Sequence, residues 1–148
     1  MLVNGEAWRP IWLDDDGESV GIIDQTKLPF RLRTRLLKSE SDAAEAIKDM
    51  QVRGAPLIGA TAAYGMADQM AHDPSDASLS ETWDVLHDTR PTAINLRWAL
   101  NRCRAALLPV APEARAAAAL ALAHQIADVR VCLVPPPESG CQTRDAVA

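Results

Sequence analysis

Large rings are scarce in this chain. Trp8, Trp12, Trp83, Trp98, Tyr64 and Phe30 make up 4% of 148 residues, so a core here must rest on aliphatic side chains instead. Alanine is abundant, which predicts close-packed helices. Cysteine is limited to Cys103, Cys132 and Cys141. The odd count and the spacing match neither a zinc site nor a disulfide framework, and a reducing compartment is the default. Positive charge is also short. Fifteen Lys and Arg face 20 Asp and Glu, a net charge of −5, which argues against a general nucleic-acid surface. No apolar run approaches the roughly 18 residues needed to span a bilayer. The opening MLVNGEAWRP has neither the basic nor the apolar segment of a secretory signal. We therefore expect a cytoplasmic protein with no membrane and no nucleic-acid partner. Glycine-rich phosphate loops, paired catalytic carboxylates and nucleophile elbows are missing too. His72, His87 and His124 are scattered, each without a recognisable partner.

What is present is a 48% hydrophobic composition in a length that fits one domain. Residues 8–38 read as strands. Trp8–Leu13 is a short apolar run, Asp14-Asp15-Asp16-Gly17-Glu18 is a turn, and Ser19–Asp24 is a second run. Two runs about an acidic glycine turn predict a hairpin. Residues 32–37 alternate, with Leu32, Thr34 and Leu36 on one face and Arg31, Arg33 and Arg35 on the other, which predicts a third, half-buried strand.

From residue 41 the period becomes helical. Asp42 is the expected N-cap with Glu45 as its capping-box partner, and Ala43, Ala46, Ile47 and Met50 share a face. The helix is expected to stop near Arg53-Gly54. A second helix, from about Pro56 to Ala71, is apolar on all sides and so should be buried. Gly59, Ala63 and Ala67 give it a smooth edge. A short helix over Ser80–His87, a Thr92-capped helix to about Leu108 and an Ala-rich helix over Glu113–Asp128 complete the pattern, with loops at 72–76 and 88–91. The expected class is α+β: a small amino-terminal antiparallel sheet, hairpin plus third strand, followed by a bundle of about five helices. Residues 1–130 form that domain. Residues 131–148, VCLVPPPESGCQTRDAVA, have three consecutive prolines and no apolar period, so we expect a disordered tail there.

Two segments carry candidate chemistry. In Val52-Arg53-Gly54-Ala55-Pro56-Leu57-Ile58-Gly59 an arginine, a glycine and a helix start fall within four residues. Helix starts leave N–H groups unpaired at the positive end of the dipole. Gly54 has no Cβ, so a ligand can approach its backbone. Arg53 offers a planar fork matched to phosphate. Asp88-Thr89-Arg90-Pro91-Thr92-Ala93-Ile94-Asn95-Leu96 repeats the design: arginine, proline, then a helix start. Such a pair predicts one anion held from two sides. On these residues alone, an ordinary capped turn with a surface arginine is the better reading of either segment.

At these segments the sequence resembles a family. VRGAPLIG (52–59) with ATAAYGMA (60–67), TRPTAINLRWAL (89–100), IIDQTKLP (22–29) and AIKDMQVRG (46–54) are similar, in order over about residues 8–130, to the signatures of methylthioribose-1-phosphate isomerases. The same superfamily holds ribose-1,5-bisphosphate isomerases and regulatory subunits of the eukaryotic initiation-factor-two exchange factor.

The resemblance implies a sugar phosphate as the partner. It implies an aldose-to-ketose isomerisation of 5-methylthioribose 1-phosphate in methionine salvage, with no cofactor and no metal. It assigns substrate binding to Arg53, Gly54, Ala55 and Arg90. It also implies a doubly wound α/β second half that supplies a catalytic cysteine and aspartate. No segment of this sequence resembles that half, so no catalytic residue is assigned and the chain is expected to be inactive alone. After Ile126–Cys132 the resemblance gives way to LVPPPESG, as in a truncated or frameshifted product whose tail is out of frame. A second copy, or a separately encoded carboxy-terminal domain, is the further partner expected. The alternative is a non-catalytic sugar-phosphate-binding or interaction module related to the exchange-factor subunits.

Overall fold

A computed structural model describes residues 2–3, 6–7, 10–14, 19–28 and 30–130. The amino-terminal strands are β1 (Leu2–Val3) and β2 (Glu6–Ala7), a short antiparallel pair that the sequence reading did not anticipate. Strands β3 (Ile11–Leu13), β4 (Val20–Ile23) and β5 (Thr34–Leu37) form a three-stranded antiparallel sheet in sequence order. The predicted hairpin and third strand are both there. Trp12 lies opposite Gly21 in the β3–β4 ladder, and its indole occupies the space a Cβ on Gly21 would need.

Five helices follow: α1 (Glu40–Lys48), α2 (Ala55–His72), α3 (Asp76–Thr89), α4 (Ile94–Leu107) and α5 (Pro112–Arg130). The expected α+β class holds. Helix α2 is the centre, with 12 buried residues from Leu57 to Met70. The buried hydroxyl of Thr61 donates to the Leu57 carbonyl at 2.8 Å, so that polar group is satisfied within the helix. Small residues let neighbours come close. A Cβ on Gly65 would sit 2.9 Å from the Ala43 methyl of α1, and one on Gly59 would sit 3.1 Å from the Asn95 carbonyl oxygen of α4. Leu96, Leu100, Cys103 and Leu107 form the buried face of α4, as the periodicity predicts.

Several expectations are corrected. The α1 cap is Ser39, whose hydroxyl accepts from Asp42 N–H at 3.2 Å. Asp42 itself sits in the first turn, where its carboxylate accepts from Lys38 N–H and pairs with Arg35. Helix α1 stops at Lys48, short of Arg53-Gly54, and Met50 leaves the apolar face with φ 61 and 43% exposure. The faces of the third strand are reversed at its end: Leu36 is exposed and Leu37 buried. Burial of Leu37 outweighs a partly exposed ion pair, and Arg35, two residues before it, reaches Asp42, Glu45 and Gln51. Helix α3 begins four residues earlier than expected, capped by Ser75, and runs through the predicted 88–91 loop as far as Thr89. Thr92 is not a cap; Ala93 holds that position. The predicted tail, 131–148, lies outside the described residues.

One residue that periodicity could not single out ties the carboxy-terminal half together. Arg115, on α5, is 3% exposed. Its guanidinium donates to the carbonyls of Leu107, Leu108 and Val110 at the end of α4 and to Pro74 O before α3, and it pairs with Asp76. It thus satisfies carbonyls that the end of a helix leaves open. Replacing it strands these acceptors in a buried site. Arg115→Met is expected to lower the unfolding free energy by about 3 kcal/mol or more, and Arg115→Lys by about 2 kcal/mol, because one ammonium cannot reproduce the fork. Urea titration of the two variants checks this; unchanged midpoints would contradict it.

Cys103 is fully buried among apolar side chains. Burial pushes its thiol up from 9.0 to about 12, against a weaker opposing pull from the Arg102 charge. The folded state therefore favours the protonated thiol. Its stabilising contribution is complete below about pH 9 and is lost as pH rises towards 12. Relative to Cys103→Ala, the wild-type chain should lose about 1.4 kcal/mol of stability per pH unit in that window. Denaturant titrations at pH 8 and at two alkaline values are the check.

Candidate functional site

The two predicted segments open two helices. Gly54 is the N-cap of α2 with φ 90, and no side chain caps that helix. Side-chain-bearing residues rarely adopt this backbone conformation. A Cβ on Gly54 would meet nothing within 4 Å, so the glycine is required by backbone geometry rather than by crowding, and its backbone stands open. Pro56 brings no N–H, which leaves Ala55 and Leu57 as first-turn donors. Ala93 caps α4, again with no side-chain hydrogen bond. The turn before it is closed by Ala93 N–H donating to Arg90 O at 3.0 Å.

These two starts differ from those of α1 and α3. Both of the latter have serine caps and acidic first-turn residues: Ser39 with Glu40 and Asp42, and Ser75 with Asp76. Helices α2 and α4 have neither a capping side chain nor an acid in the first turn. Their positive dipole ends are offset by neither their own cap nor their own first turn, a condition under which a helix start attracts an external anion.

The fold brings the two starts together. Ala55, Pro56 and Gly59 of α2, Asn95 and Trp98 of α4, and Ile126 of α5 line one narrow notch of about 10 Å³, the room of roughly one water. A larger ligand would have to lie across its mouth. Arg53 is exposed, one residue before the α2 cap, and Arg90 is half-buried at the carboxy-terminal cap of α3. Neither lines the notch. Among the described residues neither guanidinium has an ion pair or hydrogen bond.

Sequence reading passed over Trp98 and Ile126 as site residues. Trp98 was readable within TRPTAINLRWAL, one turn beyond Asn95. Ile126 had no signal, because only the packing of α5 on α2 places it there.

The arrangement can hold an anion, but it offers no proton-transfer group. No histidine, cysteine or carboxylate lines the notch. The Tyr64 hydroxyl and His124 Nδ1 are hydrogen-bonded at 2.8 Å, and His87 stacks on Trp83 at 4.7 Å between ring centres. These two histidines, expected to lack partners, have them. Among the described residues no cluster of His, Cys, Asp and Glu could hold a metal ion, and no helix is long and apolar enough to cross a membrane.

Known proteins share both the sequence and this fold. No family model matches the chain. The methylthioribose-1-phosphate isomerase of Cereibacter sphaeroides is 62% identical over 128 residues, which is 86% of this chain and 35% of that protein. The enzyme of the same name from Escherichia coli is 50% identical over 133 residues, 90% of this chain and 36% of that protein. Among solved structures, 5-methylthioribose 1-phosphate isomerase from Pyrococcus horikoshii OT3 superimposes with a TM-score of 0.75 and 32% identity, covering 82% of this chain and 36% of that one. The delta subunit of translation initiation factor eIF-2B from A. fulgidus gives 0.74 and 34%, over 83% and 37%.

The fold is thus that of the amino-terminal domain shared by sugar-phosphate isomerases and eIF-2B-type subunits. Within that class, the chain is similar to methylthioribose-1-phosphate isomerases, at 62% and 50% identity to the two named. It spans about a third of the length of the relatives it matches.

Gly54 offers a local test. Gly54→Ala should cost on the order of 1–3 kcal/mol through backbone strain alone, and Gly54→Asn as much, because φ 90 with ψ 134 lies outside the left-handed helical region that asparagine tolerates. Thermal melts of the two variants are the check, and melting temperatures equal to that of the unaltered chain would contradict it.

Proposed function

We propose that this domain is the phosphate-holding part of a methylthioribose-1-phosphate isomerase site, with Arg53, the backbone of Gly54 and Ala55, and Arg90 as the binding groups. The observation that carries the reading is the contrast between helix starts. The two left without cap or acid, α2 and α4, are the two that share a notch and follow an arginine.

In the isomerisation, the phosphate on the anomeric oxygen blocks spontaneous ring opening. The dianion must be held while another group protonates the ring oxygen. Two open helix starts and two guanidinium forks supply the holding. Proton transfer falls to the cysteine and aspartate that the family resemblance assigns to a second half. The domain alone therefore binds 5-methylthioribose 1-phosphate in the cytoplasm without turning it over. Turnover needs the cysteine and aspartate of that second half.

Calorimetric titration with methylthioribose 1-phosphate tests this. Saturable binding without turnover is expected. Arg53→Ala or Arg90→Ala should each weaken it by about tenfold or more, the value of one charge-assisted contact. Wild-type affinity in the double variant would remove the binding assignment, and turnover near that of a full-length relative would remove the inactivity.

The likeness to the eIF-2B delta subunit, about as strong as that to the isomerase structure, favours one second reading: a non-catalytic module that binds sugar phosphates or another chain. Restored turnover on adding the carboxy-terminal part of a relative distinguishes the isomerase from this module.

A further inference from the structure

The chain holds a second concentration of positive charge. The loop between β4 and β5 is closed by Asp24 N–H donating to Arg33 O at 2.8 Å and by Arg31 N–H donating to Lys27 O at 2.9 Å. The Asp24 carboxylate caps the 3-10 turn at Gln25–Lys27, accepting from both Thr26 N–H and the Thr26 hydroxyl. Leu28 and Leu32 pack inward on Trp12 and Ile23, a small core of their own. The loop is therefore fixed at its neck and through its two leucines, which sets how its other side chains stand out.

Those side chains are Lys27, Phe30, Arg31 and Arg33. With Thr26 they line an open groove of about 470 Å³, within the range of small-ligand sites. All are exposed, Phe30 by 93%. Among the described residues Lys27, Arg31 and Arg33 have no ion pair, although the chain is acidic overall. Arg35 of the same strand region is by contrast fully engaged with Asp42, Glu45 and Gln51. The Thr26 hydroxyl is committed to Asp24. Every remaining side-chain donor in the groove is thus a cation, and the one apolar group is a ring free on its faces.

We propose that this groove binds a nucleoside phosphate, its base stacked on Phe30 and its phosphate held by Arg31, Arg33 and Lys27. Guanidinium forks match phosphate oxygens, and stacking on an exposed ring accepts any base. An acidic peptide would satisfy the cations, but it would leave the ring with nothing planar to cover it. The site is separate from the α2–α4 notch: the two share no lining residue.

The test is calorimetric titration of adenosine monophosphate, ribose 5-phosphate and adenosine into the full chain carrying Arg53→Ala and Arg90→Ala, so that phosphate esters held at the notch do not contribute. Adenosine monophosphate should bind saturably, with ribose 5-phosphate and adenosine each at least tenfold weaker. Adding Phe30→Ala should weaken the nucleotide about tenfold, down to the level of ribose 5-phosphate. Adding Arg31→Ala with Arg33→Ala should abolish binding. These residues are exposed, so circular dichroism should show the fold unchanged. Equal binding of nucleotide and ribose 5-phosphate, indifference to Phe30→Ala, or displacement of the nucleotide by a glutamate-rich peptide at lower concentration would each overturn the proposal. Failure of the unaltered chain to bind methylthioribose 1-phosphate, with nucleotide binding intact, would count against the notch alone.

Discussion

The burial of α2 on all sides is the constraint on which the rest of the domain depends. An 18-residue helix with 12 buried positions cannot sit at a surface. It must be enclosed by the other helices and by the sheet, and the small residues along it decide how near they come. Gly59 is the position that matters for function. It lets the start of α4 approach the start of α2 until the Asn95 backbone lies against it. Two helix ends that could have been scattered over the surface become neighbours because one side chain is missing between them.

The electrostatics follow from that packing. Elsewhere the chain compensates its helix starts with serine hydroxyls and carboxylates, and in an acidic protein such groups are plentiful. At α2 and α4 they are missing, and arginines stand immediately upstream instead. Positive potential is thus concentrated at one end of the molecule by omission as much as by placement. The cost in stability of leaving two starts uncapped, about 1 kcal/mol each, is small beside the burial of α2, so a ligand-holding end can be maintained without endangering the fold.

Much of this was legible in the residues. The apolar period of α2, the seam of α4 and the hairpin about the acidic turn are dictated by local pattern, and the structure has them. Caps were harder. Asp42 and Thr92 are good capping residues by type, but Ser39 and Ala93 hold those positions. The first displacement arises because the Asp42 carboxylate is drawn to Lys38 N–H and Arg35, and no local rule foresees either. The reversal at Leu36 and Leu37 is likewise tertiary, since Leu37 is drawn into the core while Arg35 finds partners on α1. Arg115 was invisible because its partners are mainly backbone carbonyls beyond the end of another helix, which no residue pattern marks. Of the residues marked by motif, Arg53, Gly54, Ala55 and Arg90, Ala55 lines the notch, whereas Ile126 belongs there only through tertiary packing.

The central claim is that the open starts of α2 and α4 hold one anion between them. Amide resonances measured during a titration with methylthioribose 1-phosphate test it most directly. The account predicts that the amides of Gly54, Ala55 and Leu57 shift together with those of Ile94, Asn95 and Leu96, along one saturation curve, while the serine-capped starts of α1 and α3 stay still. Shifts confined to a single helix start, or spread equally over all four, would contradict it.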